Sequence, residues 1–294
     1  MKIGMTLPSF VAGVDGPTIR EWCRRIDDGP YSCVAVGERV AYPSHDLITS
    51  LAYAAAATER VRLVSTIVVL PSHDPVRVAK QAATIDVLSE GRLTLGVGVG
   101  GRDQDYLAVG TRPTRRFARL DEQVATMRAV WNGEAPVPDV PPIGPTPVQP
   151  GGPPLLTAAM GPKSLARSAA WADGLSGFDL APDPASVAHT FTSVRDAWSA
   201  AGRTSRPWLS TSCWFALGDG AADRLHGYAR NYLATFGDAA ASAMAGLCTF
   251  DDAGRMRETL AAVAETGCDE FVLVPTTDDV TELDRLEHVV DAHS

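Results

Sequence analysis

Lysine is nearly missing from this chain. Lys2, Lys80 and Lys163 are the only three, and arginine supplies the other 23 of 26 basic residues. Against 35 acidic residues the net charge is -9, and no basic stripe runs through the sequence. That argues against nucleic acid as a partner, because a binder of phosphate backbone clusters positive charge. Cysteine is sparse too. Cys23, Cys33, Cys213, Cys248 and Cys268 are odd in number and never fall in a CxxC spacing, so neither a disulfide framework nor a zinc site is suggested, and reduced thiols are expected. The six histidines form no HExxH or HxH group, so no catalytic metal is expected. Apolar runs are short, none approaching the roughly 20 residues that span a bilayer. The opening MKIGMTLPSF has no signal-peptide pattern, and a cytoplasmic location is expected.

What is present describes a folded globule, 45% hydrophobic with a mean hydropathy of -0.01. The most informative stretch is Val61 to Gly101. Val61 to Leu70 is apolar on both alternating faces, as a parallel strand covered on two sides should be. Asp74 and Pro75 suit a helix start, Val78, Ala82, Ile85 and Leu88 recur at helical spacing, and Gly91 fits the break. A second apolar run then ends in Gly96, Gly98 and Gly100. This is a strand, helix, strand crossover whose ligand belongs beyond the glycines.

The same rhythm repeats along the chain. Strand-like runs lie at Lys2 to Leu7, Ser32 to Gly37, Val61 to Leu70, Arg92 to Gly98, Pro154 to Ala159, Gly174 to Phe178, Trp208 to Leu217 and Glu270 to Val274. Helical patterns alternate with them: Thr18 to Asp27, Asp46 to Ala57, Pro75 to Ser89, Arg115 to Trp131, Lys163 to Trp171, Pro184 to Ala201, Ala221 to Ala245, Asp251 to Thr266 and Asp279 to Ala292. Eight such alternations predict an α/β fold, a (β/α)8 TIM barrel forming one domain over residues 1–294. Residues 132–152, rich in proline and glycine, read as an extended excursion before the fifth strand and not as a linker.

The joint run of LPSHDP, AKQAATIDVLSEGRL and LGVGVG, with VAVGER at Val34 to Arg39 and RLDE at Arg119 to Glu122, resembles the luciferase-like monooxygenase superfamily. It is closest to the branch that uses the deazaflavin coenzyme F420. The likeness is close from about Lys2 to Gly133, looser from Pro154 to Gly174 and faint beyond. It implies the same barrel and an oxidoreductase.

In such a barrel the last residues of each strand are the candidates for chemistry. Glu38 and Arg39 emerge directly from the VAV run and would face the cofactor ring or substrate; an ion pair at the rim is the competing reading. Alcohol-oxidising relatives carry a base histidine at the place of Arg39, and a guanidinium cannot serve as that base. Sugar-phosphate oxidisers carry an acid glutamate at the place of Gly101. With both positions changed, reduction of a C=N or C=C bond is the expected chemistry. Tyr42 and His45, in the loop after strand two, are reserve proton donors. The resemblance implies a cis peptide bond between Thr66 and Ile67, against the middle ring of the deazaflavin, with Val68 following. Gly98 and Gly100 remove side chains where a flat ring could approach. Ala158, Ala159, Met160, Gly161 and Lys163 precede or open a helix and suit the cofactor phosphate. His73 reads as a turn residue, Arg112, Arg115, Arg116 and Arg119 as a solvated helix start, and Trp198, Trp208 and Trp214 as core.

The expectation is thus an F420-dependent oxidoreductase acting on a small molecule, with no nucleic-acid or membrane partner. A monooxygenase using reduced flavin mononucleotide (FMN) and oxygen, and a non-catalytic binding subunit, are the alternatives. Substrate and oligomeric state, a homodimer included, stay open.

Overall fold

Eight parallel strands follow one another in chain order around a closed barrel. The computed structural model describes residues 1–290. The strands are β1 (Lys2–Thr6), β2 (Cys33–Val36), β3 (Arg62–Val69), β4 (Leu93–Gly98), β5 (Leu155–Thr157), β6 (Gly174–Ser176), β7 (Trp208–Phe215) and β8 (Glu270–Pro275). β8 returns to β1, Lys2 opposite Glu270 through Met5 opposite Leu273. The (β/α)8 expectation holds, each strand lying inside its apolar run or within a residue of it.

The outer helices are α1 (Gly16–Asp28), α2 (Leu47–Ala57), α3 (Pro75–Leu88), α4 (Asp103–Ala108), α5 (Arg116–Trp131), α6 (Pro162–Ser168), α7 (Pro184–Ala200), α8 (Ala221–Leu233), α9 (Asp238–Ala245), α10 (Ala253–Ala264) and α11 (Glu282–Val290). Asp15, Asp46, Asp74, Asp183 and Asp252 each cap a helix by accepting the N–H three residues on, which satisfies one otherwise unpaired donor of the first turn.

The helix expected at Ala221 to Ala245 is broken. A 3-10 turn at Ala234–Phe236 and Gly237, at φ 92°, separate α8 from α9. Leu225, Ala229, Leu233, Ala241 and Ala245 then close an apolar cluster with Trp214 of β7. Alanine-rich periodicity ran through the break because glycine alone marked it. α4 is also new, a short helix where a loop was expected. The part of the final helix expected beyond Val290 lies outside the described residues.

Residues 132–154 contain neither helix nor strand. They are anchored by Asp86, fully buried, whose carboxylate accepts the N–H groups of Val148 and Gln149 and the Gln149 amide, while Lys80 donates to the Gly144 carbonyl. At the amino-terminal end of the barrel Glu270, 1% exposed, accepts from Arg62 at 2.5 Å and from the Ser32 hydroxyl at 2.5 Å. That leaves the carboxyl ends of the strands to form the opening. All five cysteines are free and buried.

Candidate functional site

Two cavities adjoin at the carboxyl ends of the strands. The first, of about 570 Å³, is lined from β1 by Thr6, from the β3 segment by Thr66 and Ile67, and by Asp179, Trp214, Tyr232 and Phe236. The second, of about 440 Å³, is lined by Gly98, Gly100, Ala159, Gly161, Ser164, Arg167 and Trp171. Ile67, Arg102, Ala158, Met160 and Phe178 line both. Thr66 and Ile67 therefore stand where the chambers meet.

The Thr66–Ile67 peptide is cis, as the resemblance implied, and the β3–β4 register shifts between Ser65 and Val68. Val68 itself is fully buried and lines neither cavity. The glycines around this segment have a packing cause. A Cβ on Gly96 would lie 2.9 Å from Ile67 Cγ2 and closer still to the Ser65 carbonyl; one on Gly98 would lie 2.7 Å from Ile67 Cδ1; one on Gly37 would lie 3.2 Å from the Thr66 carbonyl. For Gly96 and Gly98 the space is taken by the displaced β3 backbone and Ile67, and for Gly37 first by the Phe10 ring at 2.7 Å. Gly98 and Gly100 do line the second cavity, but Gly96 does not.

The charged pair after β2 is built into the rim. Glu38 accepts from the Val69 N–H at 2.6 Å and stands 2.8 Å from His73 Nε2. Arg39 is 5% exposed; its Nε lies 3.4 Å from Asp105 Oδ2, and its guanidinium covers the rings of Tyr42 at 4.6 Å and Tyr232 at 5.2 Å. Neither side chain lines the cavities, and the two do not pair with each other: Glu38 is held by Val69 and His73, and Arg39 by Asp105. Asp105 is buried and accepts from the Val40 and Ala41 N–H groups, which fixes the loop that follows. Tyr42 packs edge-on against Phe10 and Tyr232, and burial raises its hydroxyl above the ordinary tyrosine range. His45, half-buried, is anchored by its backbone to Ser9 and lines neither cavity.

Around α6 the cationic side chain in the cavity is Arg167, one turn beyond Lys163. Lys163 is exposed and lines neither chamber, whereas Arg167 lines the second and pairs with Asp121. Ser164 joins it there. Arg115 pairs with Glu122 at the exposed surface, and Arg119 donates to the Pro71 carbonyl.

Among the lining residues, Asp179 and Arg102 were not singled out from the sequence, and Trp214 was taken for core. Asp179 lies just past β6, half-buried, accepting the Thr211 hydroxyl at 2.6 Å; burial pushes its carboxyl above the ordinary aspartate value, and that hydrogen bond opposes the shift. Arg102, at the start of α4, sits 4.5 Å from the Tyr232 ring centroid, and its Nε is buried without a hydrogen-bond partner. Trp214, taken for core, lines the first cavity, its ring 4.8 Å from Phe178 and 5.1 Å from Tyr232. Trp198 is core as expected, and Trp208 lies over Arg62 at the other end of the barrel. Among the described residues no cluster of histidine, cysteine or carboxylate could hold a metal ion, and no helix is long and apolar enough to cross a membrane.

A closed barrel with adjoining cavities at its strand ends defines a ligand-binding (β/α)8 protein. Residues 1–293 match the model of the luciferase-like monooxygenase family, and the chain belongs to that family. It is 32% identical over 193 residues to a Mycobacterium tuberculosis protein named as a candidate coenzyme F420-dependent oxidoreductase, covering 59% of this chain and 54% of that one. It is 38% identical over 87 residues to 4-hydroxyprotoasukamycin monooxygenase of Streptomyces nodosus subsp. asukaensis, covering 30% of this chain and 24% of that one. The chain spans about half the length of the first of these curated relatives. The structure of an F420-dependent secondary alcohol dehydrogenase, in complex with an F420–acetone adduct, superposes with a TM-score of 0.81 at 21% identity over the full length of both chains.

Proposed function

We propose that this protein is an oxidoreductase that exchanges hydride between coenzyme F420 and a small organic substrate, working as a reductase of a C=N or C=C bond. The observation that carries the reading is the meeting of two chambers at Thr66 and Ile67. A planar ring needs apolar walls and its tail needs polar groups; both chambers are lined mainly by apolar side chains, and the second adds Ser164 and Arg167. Thr6 Oγ1 and Arg102 Nε, both on lining residues, are buried polar atoms without partners, as positions that receive a ligand's polar edge would be. The residues present therefore fit a flavin or deazaflavin.

In this reading Thr66, Ile67 and Gly37 form the wall for the ring. Gly161, Ser164 and Arg167 receive the phosphate, Arg167 by charge-assisted hydrogen bonds. Arg102 polarises the ring edge from the wall shared by both chambers. The aromatic side chains over the first cavity exclude water and orient the substrate against the ring. When bound, the cofactor would supply the hydride; the protein binds, orients and polarises. Proton exchange falls to Asp179, the one carboxylate among the described residues that lines the first cavity.

The relation to the Streptomyces monooxygenase favours a second reading, reduced FMN with oxygen on the same scaffold. Fluorescence titration of the protein with F420 and with FMN separates the two. Micromolar binding of F420 with weaker FMN binding is expected; tight FMN binding without F420 binding reverses the order. Binding of neither by folded protein promotes the non-catalytic alternative.

A further inference from the structure

We infer that the first cavity selects a substrate with a basic nitrogen on an apolar body, a protonated amine or iminium ion, and that Asp179 is the residue that holds its charge. The inference rests on reading that cavity as the substrate site and goes beyond it by naming the substrate class.

Among the described residues the fully buried carboxylates are compensated. Glu270 pairs with Arg62, Glu282 with Arg224 and Arg285, and Asp105 with Arg39. Asp86 lacks a cation but accepts two backbone N–H groups and an amide. Asp179 has neither kind of support. Among the described residues it makes no ion pair, and its single side-chain hydrogen bond is the Thr211 hydroxyl to Oδ2, which leaves Oδ1 facing the open cavity with no protein partner. Partial removal from water without a counter-charge is costly, and such a group persists where a ligand completes it.

The surroundings narrow the ligand. Phe178, next in sequence, meets Trp214 edge-on at 4.8 Å, and Trp214 meets Tyr232 at 5.1 Å. Aromatic faces beside a carboxylate attract an organic cation, whose charge the rings and the carboxylate share. Arg102 does not already fill this role. It is stacked on Tyr232 and Phe236 at the wall shared with the second chamber and makes no ion pair with Asp179. An anionic substrate would meet the uncompensated Asp179 carboxylate, and a neutral one would leave it unpaired.

The test is calorimetric titration of the full chain with tetrahydroisoquinoline, a cation at neutral pH, and with isochroman, its uncharged isostere. Wild type should bind the amine about tenfold tighter or more, as an added charge-assisted contact implies. Asp179→Asn, which can still accept the Thr211 hydroxyl, should erase the difference and leave isochroman affinity within about twofold, while Asp179→Glu should restore part of the preference. Equal binding of the two probes by wild type, binding of neither, or a preference that survives Asp179→Asn overturns the inference. The wild-type comparison stands even if a variant misfolds. Cofactor titration of the same samples keeps the two readings apart: amine preference without F420 or FMN binding sinks only the oxidoreductase reading, and cofactor binding without amine preference sinks only this one.

Discussion

Glu38 ties β3 to the turn before α3: one oxygen takes the Val69 N–H at 2.6 Å, and the other stands 2.8 Å from His73 Nε2. Burial alone would lower the His73 pKa, but the hydrogen bond and charge of Glu38 outweigh it, so the folded value is raised above 6.5. The native state therefore favours the protonated ring. The stabilisation this supplies is fully present below the ordinary histidine value and is lost as pH rises through the raised folded value. His73→Gln keeps a hydrogen-bond donor and removes the charge. Its stability deficit against wild type, measured by urea unfolding, should be larger near pH 5.5 than near pH 9, at about those two values. A deficit that grows with pH contradicts the assignment.

Gly96 and Gly98 should separate packing from binding. At Gly96 an added methyl meets the Ser65 carbonyl, which is backbone and cannot swing aside. Gly96→Ala should cost about 1–3 kcal/mol of unfolding free energy, the usual range for an overpacked core site. At Gly98 the nearest atom is Ile67 Cδ1, the far end of a flexible side chain. Gly98→Ala should cost less stability and instead weaken cofactor binding by displacing Ile67 into the chamber. Chemical denaturation and cofactor titration of both variants check the pair; equal stability losses would show that the two glycines do not differ in this way.

The barrel was legible in the sequence because its signals are local. Each strand is an uninterrupted apolar run, and helix starts such as Asp74 and Pro75 carry their own caps. The cis bond at Thr66 came from the resemblance alone, since nothing in STIV marks it. The site was less legible. Glu38 and Arg39 stood out as charges leaving a strand, yet His73, 35 residues beyond Glu38, and Asp105 and Tyr232, 66 and 193 residues beyond Arg39, turn them into rim structure. Asp179 offered only a faint signal, an acid immediately after a short apolar run in a barrel whose ligand lies at strand ends. Its isolation depends on which cations fail to approach it, a property of packing that no spacing encodes. Trp214 lines the cavity and also packs against α8 and α9, whose separation at Gly237 is a break masked by alanine.

Arg167 and Lys163 offer a direct contrast at the phosphate end. Arg167→Ala should weaken binding of F420 or FMN about 10- to 100-fold, the worth of one or two hydrogen bonds to a charged group, with riboflavin, which lacks the phosphate, little affected. Lys163→Ala should change either affinity by less than about threefold, because its ammonium stays in water. The reverse ranking would place the phosphate outside the second chamber.

A structure of the protein crystallised with F420 tests the central claim most directly. The claim predicts density for the ring against Thr66 and Ile67, the phosphate beside Ser164 and Arg167, and an open first cavity ending at Asp179. Density for the ring in any other cavity, or a phosphate far from Arg167, would contradict it.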